Sequence, residues 1–235
     1  EEGTQRLGIS HYAILLGYLE EQGVDRNQCL NETSVAASLI EDPDAHIGVH
    51  QELALIRLLL RELGDGFRHG VEVGLRQGLT AYGPWGLGIM SLPNAEVAIQ
   101  WAGRFVAMAF PMTRYRWSQT TAGPFVELDY RHLHHDCHGF LIARDLASIK
   151  AIHQDVLPGV PVGVRQIHLP FGSQAGVQRL GEHFDCQIVC GQQRAGLLIN
   201  PSILEHPFPG NNPLTVELCE RYCRDSIDHR HQVMS

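Results

Sequence analysis

The chain has 235 residues, of which 44% are hydrophobic and 19% are charged, and its formal net charge is −8. This length and composition indicate a globular protein with a substantial core, organised as one large domain or two small ones. Nucleic-acid-binding surfaces use lysine and arginine to neutralise phosphates, so a net acidic chain without a dense basic run is not expected to bind DNA by itself.

The sequence carries no sign of membrane insertion or export. Its apolar runs are all shorter than the ~20 residues that a membrane-spanning helix needs. No charged segment followed by an apolar one opens the chain, as it would in a secretory signal. We therefore expect a cytoplasmic protein without a membrane partner.

The first half of the chain is predicted to be helical. Residues 11–23 repeat apolar side chains at helical spacing and end at a glycine, and residues 47–63 form the strongest helical pattern in the sequence. Residues 67–79 predict a further helix, which Gly70 and Gly74 weaken because glycine is a poor helix former.

The middle of the chain changes character twice. Residues 80–94 are rich in glycine and proline, and they are predicted to be irregular although packed against the core. A helix is predicted over residues 94–110. Its core-facing residues are expected to be Val97, Trp101, Phe105 and Met108.

The second half is predicted to be a sheet with helices packed on it. Residues 113–120 and 124–131 alternate apolar and polar side chains around a short glycine-containing turn, which indicates a hairpin. The remaining segments predict, in order, a helix over 140–157, a strand over 164–171, a helix over 173–184, strands over 186–190 and 195–200, and a last helix over 212–227. Because strands do not alternate singly with helices, we predict an α+β fold: a helical first half followed by a mostly antiparallel sheet with packed helices.

The stretch RHLHHDCHGF, residues 131–140, concentrates histidines around a cysteine. If a helix begins near Asp136, His134 and His138 stand four residues apart across its start and Cys137 adds a thiolate, a ligand set that zinc favours. Density alone does not make a metal site, however, since ligands need a defined geometry and supporting hydrogen bonds. We predict exposed or packing histidines without a metal, and we keep a metal-responsive protein using these three residues as the alternative.

No pattern in the sequence predicts catalysis. The chain contains no G-x-S-x-G nucleophile elbow, no H-E-x-x-H metal motif and no G-x-x-x-x-G-K phosphate loop. We therefore predict that the protein is not an enzyme and holds no cofactor.

Aromatic residues crowd one third of the chain, and this crowding is the strongest functional signal in the composition. Apolar pockets with a few polar groups are the common form of small-molecule sites. Aromatics at regular spacing more often fill the core, but some of these are expected to line a cavity where the helix at 94–110 meets the hairpin. The set comprises Tyr82, Trp85, Trp101, Phe105, Phe110, Tyr115, Trp117, Phe125 and Tyr130.

The order of the segments resembles a known family. The run from Gly83 through Ala98, with Gly86 and Ser91 between them, and the later segment FDCQIVC…LLINPSIL are its most specific elements. Over residues 8–225 the chain resembles the N-terminal arabinose-binding-type effector domain of AraC-family transcriptional regulators, in the branch with a long helical first half.

The resemblance implies a domain that binds a small-molecule effector and forms a homodimer. DNA binding would belong to a C-terminal helix-turn-helix domain that this sequence does not include. We therefore expect residues 1–227 to form the effector-binding and dimerisation domain and residues 228–235 to form a tail or linker toward the missing domain. The family shares no catalytic residues to carry over, and its name does not fix the effector.

The expected pocket residues follow from position and chemistry. Two arginines on the first hairpin strand, Arg114 and Arg116, are possible partners for an acidic effector, although a solvated strand face is the alternative. The aromatic candidates are Trp85, Trp101, Phe105, Trp117 and Tyr130.

Overall fold

The first half of the chain folds as a helical layer. The computed structural model describes residues 6–109 and 112–233. Its first elements are β1 (Arg6–Gly8), α1 (Ile9–Glu21), α2 (Arg26–Thr33), α3 (Ala37–Ile40), β2 (His46–Gly48), α4 (Val49–Leu63) and α5 (Gly66–Gly74). The short strands β1 and β2 pair antiparallel and bring the starts of α1 and α4 together.

The predicted apolar stripes are confirmed as core faces. Tyr12, Leu15, Leu16 and Leu19 on α1 are all buried, and α4 buries its leucines and isoleucine against them. The sequence did not predict helix α2, because its residues, RNQCLNET, are mostly polar. It begins where the Asp25 side chain accepts a hydrogen bond from the backbone N–H of Gln28, which is a helix N-cap.

The prediction of irregular chain over residues 80–94 is wrong. A 3-10 turn (Leu79–Tyr82) leads directly into α6 (Gly83–Met90). The glycines that suggested a loop allow close packing instead. A Cβ at Gly86 would lie 1.9 Å from the Leu79 carbonyl oxygen, and one at Gly88 would lie 2.5 Å from the Trp101 ring.

Helix α7 (Ala95–Arg104) starts as predicted, with the Asn94 side chain capping the backbone N–H of Val97. A 3-10 turn, Val106–Met108, follows it. Trp101 and Phe105 are buried as expected, but Val97 is 38% exposed and its predicted core position is wrong. Ala98, and not Val97, is buried on the same helix as Trp101. Phe110 lies outside the described residues.

The second half contains a five-stranded sheet, which confirms the α+β fold. Its strand order is β3-β4-β7-β5-β6, and every pairing is antiparallel except that of β5 with β6. The predicted hairpin is confirmed, with Trp117 opposite Val126. The elements are β3 (Arg114–Thr120), β4 (Gly123–Asp129), α8 (His138–Val156), β5 (Val164–His168), α9 (Gln174–Gly181), β6 (Gln187–Val189), β7 (Ala195–Ile199) and α10 (Pro213–Val233).

Helix α8 is the central element that joins the two halves, and α5 crosses it at very short range. A Cβ at Gly70 would lie 2.4 Å from the Phe140 carbonyl oxygen, and one at Gly74 would lie 2.1 Å from the Arg144 carbonyl oxygen. The glycines that weaken the helical signal of α5 are therefore what lets its backbone approach α8.

Helix α10 runs to Val233, so the chain stays helical through residues 228–233, which the sequence assigned to a tail. Its inner face, with Cys219 and Cys223 buried, packs beside α6 and Trp101. Across the described residues, we find no helix with the length and apolarity to cross a bilayer.

Candidate functional site

A cavity of about 660 Å³ lies where α7 meets the β3–β4 hairpin over the inner side of α8. This is the junction at which the sequence predicted one, and the volume is within the range of small-molecule sites. Most of its wall is apolar. The apolar lining includes Ile89, Ala98, Ile99, Ala102, Val106, Val126, Ile149, Ile152, Val156, Val164, Leu197, Ile199 and Phe208.

Small residues on α7 leave the space that the cavity occupies. Ala95, Ala98, Ala102 and Gly103 turn toward it along one side of the helix, and none carries more than a methyl group. A Cβ at Gly103 would meet no atom within 4 Å. Larger side chains at these positions would fill the space, so the sequence of α7 keeps the cavity open.

One end of the cavity is polar and buried. Arg144 on α8 donates from Nη1 to Oε1 of Glu52 on α4 over 3.0 Å, and from Nε to Oδ1 of Asp145 over 2.8 Å. All three side chains are at least 94% buried. Burial alone would lower the pKa of Arg144, but the two carboxylates raise it above the ordinary value. The guanidinium is therefore charged.

The carboxylates at this end are incompletely satisfied. Oε2 of Glu52 and Oδ2 of Asp145 are buried and have no hydrogen bond of normal geometry from the described residues, although the Tyr115 hydroxyl lies beside the Asp145 carboxylate and interacts with it. Burial raises the pKa of Glu52, and Arg144 opposes that shift only in part. Buried polar atoms in folded proteins nearly always have partners, so two free acceptors facing one cavity point to a group that is not part of the chain.

Aromatic and imidazole rings surround the polar end. The His11 ring meets the Tyr82 ring edge-on at 4.7 Å between centroids, and Tyr82 lies 5.2 Å from Trp85. Burial, and then the charge of Arg144, lower the pKa of His11 to about 3, so its imidazole is neutral. Burial of the hydroxyl, and then the Asp145 carboxylate beside it, raise the pKa of Tyr115 well above its ordinary value.

The structure brings some of the predicted pocket residues to the cavity and not others. Trp85, Arg114 and Trp117 line it. Trp101 and Phe105 are buried in the cluster with α6 and α10, with their rings 4.8 Å apart. Tyr130 is buried in the sheet core, where it packs on His138.

Arg116 does not line the cavity. Its guanidinium pairs with Asp129 over 2.8 Å on the opposite face of the sheet. Arg114 lines the cavity at its exposed side. Of the two arginines proposed as partners for an acidic effector, only Arg114 therefore adjoins the space.

The sequence reasoning missed the polar end of the cavity. Two of its residues did carry a signal: Arg144 and Asp145 are adjacent charges inside the otherwise apolar segment FLIARDLASI, and such charges are almost never buried unless paired. Glu52 is likewise a charged residue among the apolar residues of α4. Tyr115 belonged to the aromatic set, whereas the position of His11 had no local signal, because only the tertiary fold brings α1 to α8.

The histidine cluster is dispersed in the structure. His134 is exposed and bonds Asp136 over 2.7 Å, whereas His138 donates to the Leu133 carbonyl over 2.8 Å. Cys137 is fully buried in the helical core, where burial raises its pKa to about 12. Within residues 6–109 and 112–233, no three side chains of His, Cys, Asp or Glu are grouped as a metal site.

Comparisons with known proteins agree on one family. The model of the arabinose-binding domain of AraC transcription regulator, N-term, matches residues 23–208. Two curated relatives are HTH-type transcriptional regulators, Rv1395 of Mycobacterium tuberculosis (strain ATCC 25618 / H37Rv) and Mb1430 of Mycobacterium bovis (strain ATCC BAA-935 / AF2122/97). Each is 33% identical over 213 residues, which cover 89% of this chain and 62% of the relative.

The fold is also similar to that of a solved regulator. The crystal structure of transcriptional regulator CdpR from Pseudomonas aeruginosa matches with a TM-score of 0.65 and 15% identity, over 89% of this chain and 61% of that one. At this identity the likeness concerns the fold alone. The chain thus spans about three fifths of the length of the regulators it matches.

Proposed function

Because the chain belongs to the family of N-terminal arabinose-binding domains of AraC transcription regulators, we propose that it is the sensing domain of such a regulator and binds a small-molecule effector in the cavity between α7, α8 and the hairpin. The observation that carries this proposal is the cavity itself, about 660 Å³ in volume with unsatisfied buried acceptors at one end. A purely structural domain has no reason to keep such a space open.

The effector acts by shifting a conformational equilibrium. It contacts elements from both halves of the fold, since α1, α4, α7, α8 and the sheet all contribute to the cavity wall. Helix α10 packs against α6, which contributes Trp85 and Ile89 to that wall, so a change at the cavity has a short path to the C-terminal helix. Coupling of ~1–3 kcal/mol would change affinity at a second site roughly 5- to 150-fold.

The remaining parts of the proposal concern the whole regulator. DNA binding belongs to a separate C-terminal domain, which the greater length of the curated relatives would accommodate. The regulator acts as a homodimer in the cytoplasm. The exposed apolar face of α10, formed by Leu214, Leu218 and Tyr222, supports the dimer.

Native mass spectrometry of the freshly purified chain, compared with its denatured mass, tests the sensing function. We expect an increment of a few hundred daltons per chain that is lost on denaturation, because a cavity of this size holds a ligand of that mass. An increment equal to one zinc ion would instead support a metal-responsive protein, although His134, Cys137 and His138 are not grouped as one site in the structure. A bare chain that also gains no mass from a library of small molecules would contradict the sensing function.

A further inference from the structure

We propose that the effector is an organic cation, an amine with an apolar body, whose ammonium head binds between Glu52 and Asp145. This inference rests on the proposed function of the cavity and adds the chemical class of its ligand. The sequence suggested an acidic effector held by arginines. The geometry of the polar end favours the opposite charge.

The first argument is the hydrogen-bond inventory of the polar end. Among the described residues, Oε2 of Glu52 and Oδ2 of Asp145 are buried acceptors without a hydrogen bond of normal geometry, and both residues line the cavity. His11 Nε2, Trp85 Nε1 and Thr113 Oγ1 of the same lining are also unpaired, but only the two carboxylates can carry a negative charge. When both carboxylates are ionised they only accept hydrogen bonds, and a group that satisfies them then donates. An ammonium has three donors on one atom and can serve both carboxylates together.

The second argument is charge. The polar end places two carboxylates around a single guanidinium, that of Arg144, so one negative charge remains when all three are ionised. Arg144 already directs Nη1 to Glu52 and both Nε and Nη2 to Asp145. A ligand carboxylate would meet an engaged arginine flanked by two anions, whereas a ligand cation completes the charge balance.

The third argument is the aromatic surroundings. Tyr82, Trp85, Tyr115 and Trp117 all line the cavity, and Tyr82 and Tyr115 lie close enough to Asp145 for its charge to raise the pKa of each hydroxyl. Aromatic faces attract cations, and this attraction strengthens when the cation is removed from water. Aromatic rings beside paired carboxylates are therefore an environment suited to an ammonium group.

The cationic side chain that most weakens this case is Arg114, which also lines the cavity. It stands at the exposed start of β3, outside the buried triad, and is available to solvent. It would select for an anion only if the ligand's charged group lay at the open side of the cavity. The test below separates these two orientations.

The experiment compares three compounds that share one body: 4-butylbenzylamine, 4-butylbenzyl alcohol and 4-butylbenzoic acid. Isothermal titration calorimetry with the 235-residue chain at neutral pH measures each dissociation constant. We expect the amine to bind at least tenfold more tightly than the alcohol and the acid. Glu52→Gln and Asp145→Asn should each lower the preference for the amine over the alcohol to less than threefold, since both substitutions conserve shape and remove the charge.

Each other outcome overturns a defined part of the account. If the acid binds best and Arg114→Gln abolishes that preference, the cation inference is wrong while the cavity remains a ligand site. Equal binding of all three compounds also overturns the cation inference alone. If none binds, and native mass spectrometry finds no ligand, the sensing function itself is contradicted. Circular dichroism of both carboxylate variants verifies that they are folded.

Discussion

Arg144 and Glu52 are 92 positions apart in the sequence, yet the guanidinium and the carboxylate are 3.0 Å apart and both are almost completely buried. The pair ties α8, which carries the sheet side of the molecule, to α4 in the helical layer. It also forms one end of the cavity. The same interaction therefore supports the fold and shapes the candidate site.

Replacing Arg144 with methionine should destabilise the protein strongly. The substitution leaves Glu52 and Asp145 buried without a counter-charge, and breaking a buried pair in this way costs about 3–5 kcal/mol. Urea unfolding followed by circular dichroism measures the change. Arg61→Met is the matched control, because Arg61 pairs with Glu32 and Glu62 and all three side chains are exposed. A loss no larger than that of the control would mean that the buried pair does not hold the two layers together.

His11 should make the stability depend on pH. Its pKa is about 3 in the fold and 6.5 as the ordinary value, so below pH 6.5 the unfolded chain binds a proton that the folded chain does not. The contribution of His11 is fully present above pH 6.5 and is lost as the pH falls toward 3, with a slope of up to ~1.4 kcal/mol per pH unit.

Chemical denaturation of the wild type and of His11→Gln between pH 7.5 and pH 4.5 tests this. Glutamine is polar but does not titrate, so the free energy of unfolding of the variant should fall less steeply with decreasing pH. Parallel curves for the two proteins would show that His11 is not held neutral by its surroundings.

Gly74→Ala should destabilise the protein although alanine is the better helix former. The added methyl would lie 2.1 Å from the Arg144 carbonyl oxygen, so α5 and α8 must move apart, at a cost of about 1–3 kcal/mol. Gly17→Ala in α1 is the matched control, because its Cβ meets no atom within 4 Å. The control should gain roughly 0.5–1 kcal/mol from helix propensity alone. Equal effects of the two substitutions would contradict the close crossing.

Leu218→Glu should dissociate the proposed homodimer. Leu214, Leu218 and Tyr222 are 79%, 58% and 47% exposed along one face of α10, whereas Cys219 and Cys223 on another face are buried. A charge at the centre of this face would be costly to bury between two copies. Analytical ultracentrifugation should find a dimer for the wild type and for the control Glu217→Lys, and a monomer for Leu218→Glu. A dimer in all three would place the interface elsewhere.

The sequence predicted most of this architecture because its helices and strands carry strong periodicity. Helices α1 and α4 and the β3–β4 hairpin each bury one face. The regular spacing of apolar residues in the sequence reflects this burial. The sequence did not predict two helices, α2 and α6, for different reasons. Helix α2 is polar and has no stripe of apolar residues. The sequence of α6 suggests a loop, but its glycines allow close contact with Leu79 and Trp101 and do not form a turn.

The sequence predicted the position of the cavity but not its chemistry. The aromatic crowding indicated the junction of α7 and the hairpin, where the cavity is found. It did not separate Trp85 and Trp117, which line the cavity, from Trp101, which fills the core, since all three have similar local patterns. The polar end depends on contacts among α1, α4 and α8, and a single sequence does not encode such long-range contacts in any local pattern.

The most direct test of the central claim is to fill the cavity and measure ligand binding. Ala102→Phe places a ring into the space beside α7, whereas the control Val97→Phe places the same ring on the outer, partly exposed face of that helix. Calorimetry with neutral 4-butylbenzyl alcohol is the measurement. We predict that Val97→Phe binds like the wild type and that Ala102→Phe loses at least tenfold in affinity while staying folded. Undiminished binding by Ala102→Phe would contradict the assignment of this cavity as the effector site.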